Sequence, residues 1–291
     1  MEIGFIGLGL MGRPLALHLA AAGHQLHLWA RRPASLEPFA QTAASTHGSP
    51  AEVAASSDVV FTMVADAPDV EAVALGDDGL AAGARPGLIV ADMSTIAPGA
   101  AQDIAARLEA RGIEFLDAPV SGGEVGAINA SLTIMVGGKP EVFAKVQPLF
   151  AKMGKSVTLI GGSGAGQVAK ACNQILTGVG VAAVAEALNF ARKSGVDAGK
   201  VREALLGGFA YSRILENHGQ RMLDRNFKPG FKSWMHQKDL RIVMEEAHRL
   251  GLALPSSAAT AQMFNAMVGS GLGEEDSVAM LKLLERMSGT A

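Results

Sequence analysis

The chain changes character once, at "GGSGAG", residues 161–166, and that change limits what it can fold into. Before it, short β-branched runs alternate with Ala-rich amphipathic segments, the pattern of a parallel sheet covered by helices. Strands are expected at 3–6, 25–29, 59–63, 88–91, 114–116, 132–136 and 157–159, with a last crossover helix in "PEVFAKVQPLFAKMG" ending at a Gly154 cap. After it no run reads as a strand. Helices are expected at 166–192, 198–206, 214–223, 234–250, 255–269 and beyond Glu274. The fold class is therefore α/β with a mostly parallel sheet over 1–162, followed by an all-α domain over 163–291. The helix at 166–192, about 40 Å long at 1.5 Å per residue, joins them.

With 49% hydrophobic and 18% charged residues in 291, the chain can bury substantial cores and is not disordered. The net charge is -3 and the basic residues are scattered, so no nucleic-acid partner is expected. The single cysteine, Cys172, forms no intrachain disulfide, which fits a reducing, cytoplasmic setting. The first residues read as a strand, not a signal peptide, because Glu2 and glycines interrupt the apolar run. Residues 175–191 imitate a membrane span but carry Glu186 and Asn189 and fall short of the roughly 20 residues required, so no membrane partner is expected. A buried helix is the better reading.

"GFIGLGLMGRP", residues 4–14, holds Gly7, Gly9 and Gly12 in a GxGxxG spacing between the first strand and the first helix. The first glycine permits the tight turn, the second admits a pyrophosphate to the backbone, and the third lets helix pack on strand. Gly7, Leu8, Gly9, Leu10, Met11 and Gly12 are thus candidate cofactor contacts. An acidic residue about 20 positions on would hold the adenosine ribose of NAD. Here Ala30 stands in that place, and Arg31 and Arg32 follow. Their guanidinium groups suit a 2'-phosphate, which favours NADPH over NADH, although a solvated turn would use them equally.

Ligands of open parallel sheets collect beyond the carboxyl ends of the strands. Met63 and Val64 there line a cofactor site, and the Thr95 hydroxyl can bond a nicotinamide ribose or amide; Ser94 and Thr95 equally suit a cap for the next helix. In "LDAPVSGGEVGA", Ser121, Gly122 and Gly123 offer a hydroxyl and approachable N–H groups to a small carboxylate. Asp117 reads as a turn or cap residue.

On the long helix, Gln167, Lys170, Asn173, Gln174 and Thr177 recur at three- and four-residue steps and share one face, beyond which that face turns apolar. A local polar patch on a buried helix points to a site. Lys170 there can protonate an oxygen that gains charge when hydride arrives, with Asn173 beside it; a lysine snorkelling at a domain edge gives the same spacing. Cys172 points elsewhere and reads as core. Lys238 and Asp239 in "HQKDL" are either a solvated pair or a cofactor contact. With no HExxH and one cysteine, no metal is expected.

Together, "GFIGLGLMGRP", "DMST", "DAPVSGG", "GAGQVAKACNQ" and "KDL", in this order, resemble the β-hydroxyacid dehydrogenase family over essentially the whole chain. The resemblance implies a Rossmann domain, a long interdomain helix, a helical C-terminal domain, and assembly as homodimers or homotetramers. It makes Lys170 the catalytic lysine with Asn173 beside it, Ser121, Gly122 and Gly123 the substrate-carboxylate site, and Thr95 and Lys238 cofactor contacts. The expected activity is NAD(P)H-dependent reduction of a small carboxylate-bearing semialdehyde. "DRNFKPGF" and "HQKDL" look most like the family's tartronate semialdehyde reductases, and 3-hydroxyisobutyrate, glyoxylate and succinic semialdehyde enzymes are the nearest rivals. That subgroup often carries an acidic residue where this chain has Ala30, which weighs against NADH. A non-catalytic dinucleotide-binding scaffold would be expected to have lost Lys170.

Overall fold

In the computed structural model, which describes residues 1–289, the chain forms two compact units, Met1–Lys170 and the remainder from Ala171. The first is built on a sheet of strands β1 (Glu2–Ile6), β2 (Gln25–Trp29), β3 (Ser45–Thr46), β4 (Val59–Thr62), β5 (Ile89–Asp92), β6 (Glu114–Asp117), β7 (Val120–Ser121), β8 (Leu132–Gly137) and β9 (Gly154–Gly161). Their order is β3-β2-β1-β4-β5-β6-β8-β7, with β9 on the other side of β8. The strands from β3 to β6 in that order run parallel; β8 is antiparallel to β6 and β7 and parallel to β9. The sheet is mostly parallel, as expected.

Helices cover both faces, so both faces are apolar. Ile3, Phe5, Leu28, Val59, Phe61 and Ala91 point to one core, and Ile6, Val60, Val90 and Phe115 point to the other. This period of two is what the near-continuous apolar runs encode. Phe61 sits at the centre of its face, stacked on Phe5 at 6.0 Å between ring centroids and edge-on to Phe150 at 5.7 Å.

Several local expectations are corrected. The last crossover helix is Pro140–Phe150 and ends at Ala151, while Gly154 opens β9. A Cβ at Gly154 would lie 2.7 Å from the Leu132 carbonyl oxygen, so this glycine serves the close approach of β9 to β8 instead of a helix cap. Strands β3 and β7 have two residues each, too few to leave an alternating pattern.

The second unit is helical, as expected: most of the long helix Ala165–Lys193, then Ala198–Leu206, Gly219–Leu223, Ser233–Leu250, Pro255–Gly269 and Met280–Ser288. The span expected to form one regular helix at 214–223 instead begins with a π turn, Ile214–His218. Arg202 donates to the carbonyls of Leu215 at 3.1 Å and Glu216 at 2.6 Å, which gives those acceptors partners outside the helix. The long helix has a mean hydropathy of 1.4 over an 18-residue stretch, yet Val181, Val184, Ala185, Leu188 and Ala191 are core residues of the helical unit, packed with Leu240, Phe264, Met280 and Leu281. Cys172, expected in that core, is exposed.

Replacing Phe61 by Ala should lower unfolding free energy by about 3–5 kcal/mol, because a fully buried aromatic leaves a cavity that its two ring neighbours only partly close. Urea denaturation of the full chain checks this; a loss under about 1 kcal/mol would contradict the packing described.

Candidate active site

The parallel register lines up the strand ends. Ile6 pairs with Trp29 and with Thr62, Thr62 with Asp92, and Asp92 with Asp117. Five loops therefore leave the sheet along one edge, and they carry most of the residues singled out from the sequence.

The first loop enters the helix Gly12–Ala21. Gly7 has φ +94°, and a Cβ there would run into the Met63 carbonyl; a Cβ on Gly12 would run into the Gly7 carbonyl. Both glycines are demanded by the turn itself. A Cβ on Gly9 would meet nothing within 4 Å, so its bare backbone borders open space beside a helix start, where a pyrophosphate fits. Leu8 points into the core, Leu10 is exposed, and Met11 is half-buried. Arg31 and Arg32 stand exposed just beyond β2, with Arg31 Nη1 3.4 Å from an Asp69 carboxylate oxygen.

Beyond β4 and β5 a polar cluster fixes the next two loops. The Asp92 carboxylate, fully buried, accepts from Thr62 Oγ1 at 2.7 Å, Ser94 Oγ at 2.6 Å and Ser94 N–H at 3.2 Å. Ser94 Oγ in turn accepts the Val64 N–H at 2.9 Å, and the Met63 N–H goes to the Ile6 carbonyl. Met63 and Val64, half-buried against the two cores, thus have no spare N–H. Ser94 does not cap the following helix, Pro98–Glu109, whose cap position is Ala97 with no side-chain bond, because its hydroxyl is committed to Asp92. Thr95 is half-buried, two residues before that cap position.

Asp117, at the end of β6, is a cap, but of the long helix. Its carboxylate accepts the Gly164 N–H at 2.7 Å and the Gln167 N–H at 2.9 Å. Burial pushes its pKa up to about 6 against these two bonds, which favour the charged form, and Asp92 adds repulsion. The Gln167 side chain donates to the Ser94 carbonyl at 2.8 Å and accepts the Ile96 N–H at 3.2 Å, so the helix start and the "DMST" loop are bound together. One turn further on stands Lys170, buried at 7% exposure. Past Asp117, Ser121 is half-buried, and Gly122 and Gly123 take φ of +136° and +61°, a backbone path that L side chains rarely follow.

In the helical unit, Asn173 Nδ2 donates to Gln174 Oε1 at 2.7 Å, and Gln174 Nε2 donates to Asp239 Oδ2 at 2.6 Å. Lys238 Nζ lies 3.0 Å from Asp239 Oδ1. Lys238 and Asp239 are both largely buried, so the solvated-pair alternative does not hold. His236 is also buried, between the Phe231 and Phe264 rings.

The sequence reading gave Asp117 as a turn or cap residue and Gln167 as part of a polar patch without their partners, and it missed the part played by Asp92 and the Gln174–Asp239 bond. Gln167 and Gln174 had left a signal: long amides on an otherwise apolar face require partners when buried. Which partners they find depends on the sheet and on a distant helix.

A sheet of this order with a glycine turn after β1, followed by a helical unit, defines a nicotinamide-dinucleotide-dependent oxidoreductase. Residues 2–161 match the NAD binding domain of 6-phosphogluconate dehydrogenase, and 164–284 match the NAD-binding domain of NADP-dependent 3-hydroxyisobutyrate dehydrogenase. The chain belongs to the 3-hydroxyisobutyrate dehydrogenase-like family of NAD(P)-dependent hydroxyacid dehydrogenases. It is 46% identical to the 2-hydroxy-3-oxopropionate reductase of Escherichia coli, over 99% of this chain and 98% of that one. It is 34% identical to the 2-(hydroxymethyl)glutarate dehydrogenase of Eubacterium barkeri, over 100% and 97%. The crystal structure of a 3-hydroxyisobutyrate dehydrogenase from Salmonella typhimurium superposes with a TM-score of 0.88 at 32% identity, covering 97% of this chain and 99% of that one.

The raised pKa of Asp117 has a sign for stability. Between pH about 4 and 6 the folded chain keeps a proton that the unfolded chain has released, so this group's contribution to stability falls as pH rises through that window. From pH 5 to 7, wild type should lose roughly 1 kcal/mol relative to an Asp117→Asn variant, whose amide does not titrate. Urea unfolding of both at the two pH values measures the difference; an unchanged gap would mean that Asp117 titrates normally.

Proposed function

We propose that this enzyme reduces 2-hydroxy-3-oxopropionate to glycerate, using NADPH in preference to NADH. The observation that carries the reading is Lys170, a buried ammonium one turn beyond a helix start anchored to the strand-end loops. The 46% identity to the E. coli 2-hydroxy-3-oxopropionate reductase supports the substrate. When bound, the reduced nicotinamide supplies hydride to the aldehyde carbon. Lys170 gives its proton to the aldehyde oxygen and stabilises the charge that grows there. Asn173, one turn along the same helix, holds that oxygen or orients the lysine. Ser121 Oγ and the backbone at Gly122 and Gly123 bind the substrate carboxylate, which sets one end of the substrate while the lysine holds the other.

Gly7, Leu8, Gly9, Leu10, Met11 and Gly12 seat the pyrophosphate through their backbone, Met63 and Val64 flank the cofactor, and Thr95 and Lys238 contact it. Arg31 and Arg32 meet the 2'-phosphate. A second substrate reading stays open on one observation: relatives named for 3-hydroxyisobutyrate and 2-(hydroxymethyl)glutarate cover the same full length of chain. A panel of tartronate, succinic and methylmalonate semialdehydes with glyoxylate decides between them. Negligible turnover of the first beside strong turnover of another would overturn the substrate assignment. The exposed Leu176 and Phe190 on the long helix fit burial against a second copy in a homo-oligomer.

Lys170→Ala should lower kcat by about 10²–10⁴-fold with the dissociation constant for NADPH, read by fluorescence, within threefold of wild type. Undiminished turnover would remove Lys170 from the chemistry.

Arg31→Ala and Arg32→Ala together should raise KM for NADPH by about 10-fold or more and leave that for NADH nearly unchanged, since two charge-assisted contacts to one phosphate are lost. Equal effects on both cofactors would show that these side chains do not read the 2'-phosphate.

A further inference from the structure

We infer that Asp117 is a positioning residue for the reaction, its carboxylate fixing the first turn of the long helix and hence the depth at which Lys170 is presented. The inference rests on the reading of Lys170 as proton donor. Gly164, at the helix start, has no side chain to offer the orphan N–H groups of the first turn. Asp117 supplies the missing cap from the end of β6, accepting the Gly164 and Gln167 N–H groups at 2.7 and 2.9 Å. Lys170 follows Gln167 by three residues, one turn along the helix that these two bonds anchor.

The seat is shaped for this one group. A Cβ on Gly137 of β8 would lie 2.5 Å from Asp117 Oδ1, and one on Gly166 of the helix would lie 2.5 and 2.6 Å from the Met135 and Asp117 carbonyl oxygens and 2.8 Å from Oδ2, so glycines on two sides leave room for the strand backbone and this carboxylate. The arrangement also couples two parts of the site: Gln167, whose N–H Asp117 holds, grips the Ser94 carbonyl and the Ile96 N–H on either side of Thr95. A shift of the helix start therefore displaces the lysine and disturbs the Thr95 loop together.

Asp117 is poised to respond to pH. Its burial raises the pKa to about 6, and the charged group acting on it is Asp92, its register partner on β5. The β8 neighbour, Gly137, is uncharged, and Lys170 is the first cation along the helix that it caps, with Arg192 and Lys193 at the far end. On protonation one carboxyl oxygen becomes a hydroxyl, a weaker acceptor without the negative charge, so the hold on the two N–H groups loosens.

The test is a pH profile of kcat and KM from pH 5 to 8 for the full chain with NADPH and its best semialdehyde, for wild type, Asp117→Asn and Lys170→Ala. Wild-type kcat is expected to fall below pH about 6, the value to which Asp117 is raised. Asp117→Asn should show a kcat about 10–100-fold lower at pH 7.5, flat from pH 5 to 7, with KM for NADPH within threefold. A merely structural role would not abolish the acid limb. An Asp117→Asn variant with wild-type kcat and an intact acid limb would overturn the inference. Should that variant fail to fold, the wild-type profile decides, and a kcat that is level from pH 7 to 5 overturns it. Lys170→Ala separates the two readings. Turnover retained there defeats the proton-donor assignment, whereas turnover lost there but normal in Asp117→Asn defeats only the positioning role.

Discussion

Two hydrogen bonds from the start of the long helix to the Asp117 carboxylate tie the end of β6 to the helix that carries Lys170. Burying a carboxylate is unfavourable unless its lone pairs are met, and here only part of that penalty is offset, as its raised pKa shows. The group is thus retained against a cost in stability. Its return is geometric: a sheet strand and a helix that are distant in sequence meet at an atom-defined point.

The Asp92 cluster applies the same device one strand over. Thr62, Ser94 and the Val64 N–H join β4 to β5 through a buried carboxylate and a hydroxyl. Gln167 then ties this cluster to the helix that Asp117 caps. The helical unit has its own version, Asn173 to Gln174 to Asp239 to Lys238. In each case a side chain without a net proton-transfer role orders one that is assigned such a role or a cofactor contact.

The fold class was legible because hydrophobic periodicity is a local property. The parallel strands, the lack of strands among the described residues of the second half and the helices at Ala198–Leu206 and Pro255–Gly269 follow from it. The glycine turn was legible for a related reason, since Gly7 and Gly12 are required by contacts within that loop and its neighbouring strand. Gly154 was misread because its reason is a strand 22 positions earlier in the chain, paired at Leu132. Candidate residues such as Lys170 and Lys238 could be picked out by type and spacing, but their partners could not. Asp117 read as a turn or cap residue, and nothing near it in sequence reveals that Gly164 and Gln167 are the groups it caps.

The in-register ends of β1, β2, β4, β5 and β6 have a consequence for how such an enzyme changes over time. Each loop leaves the same rim, but the loops after β4 and β5 are also bonded to one another and to the start of the long helix through Asp92, Ser94 and Gln167. A change in one of these segments has to be accommodated by the others. Novelty in substrate choice therefore requires no redesign of the sheet, but it does require that these rim segments change in concert.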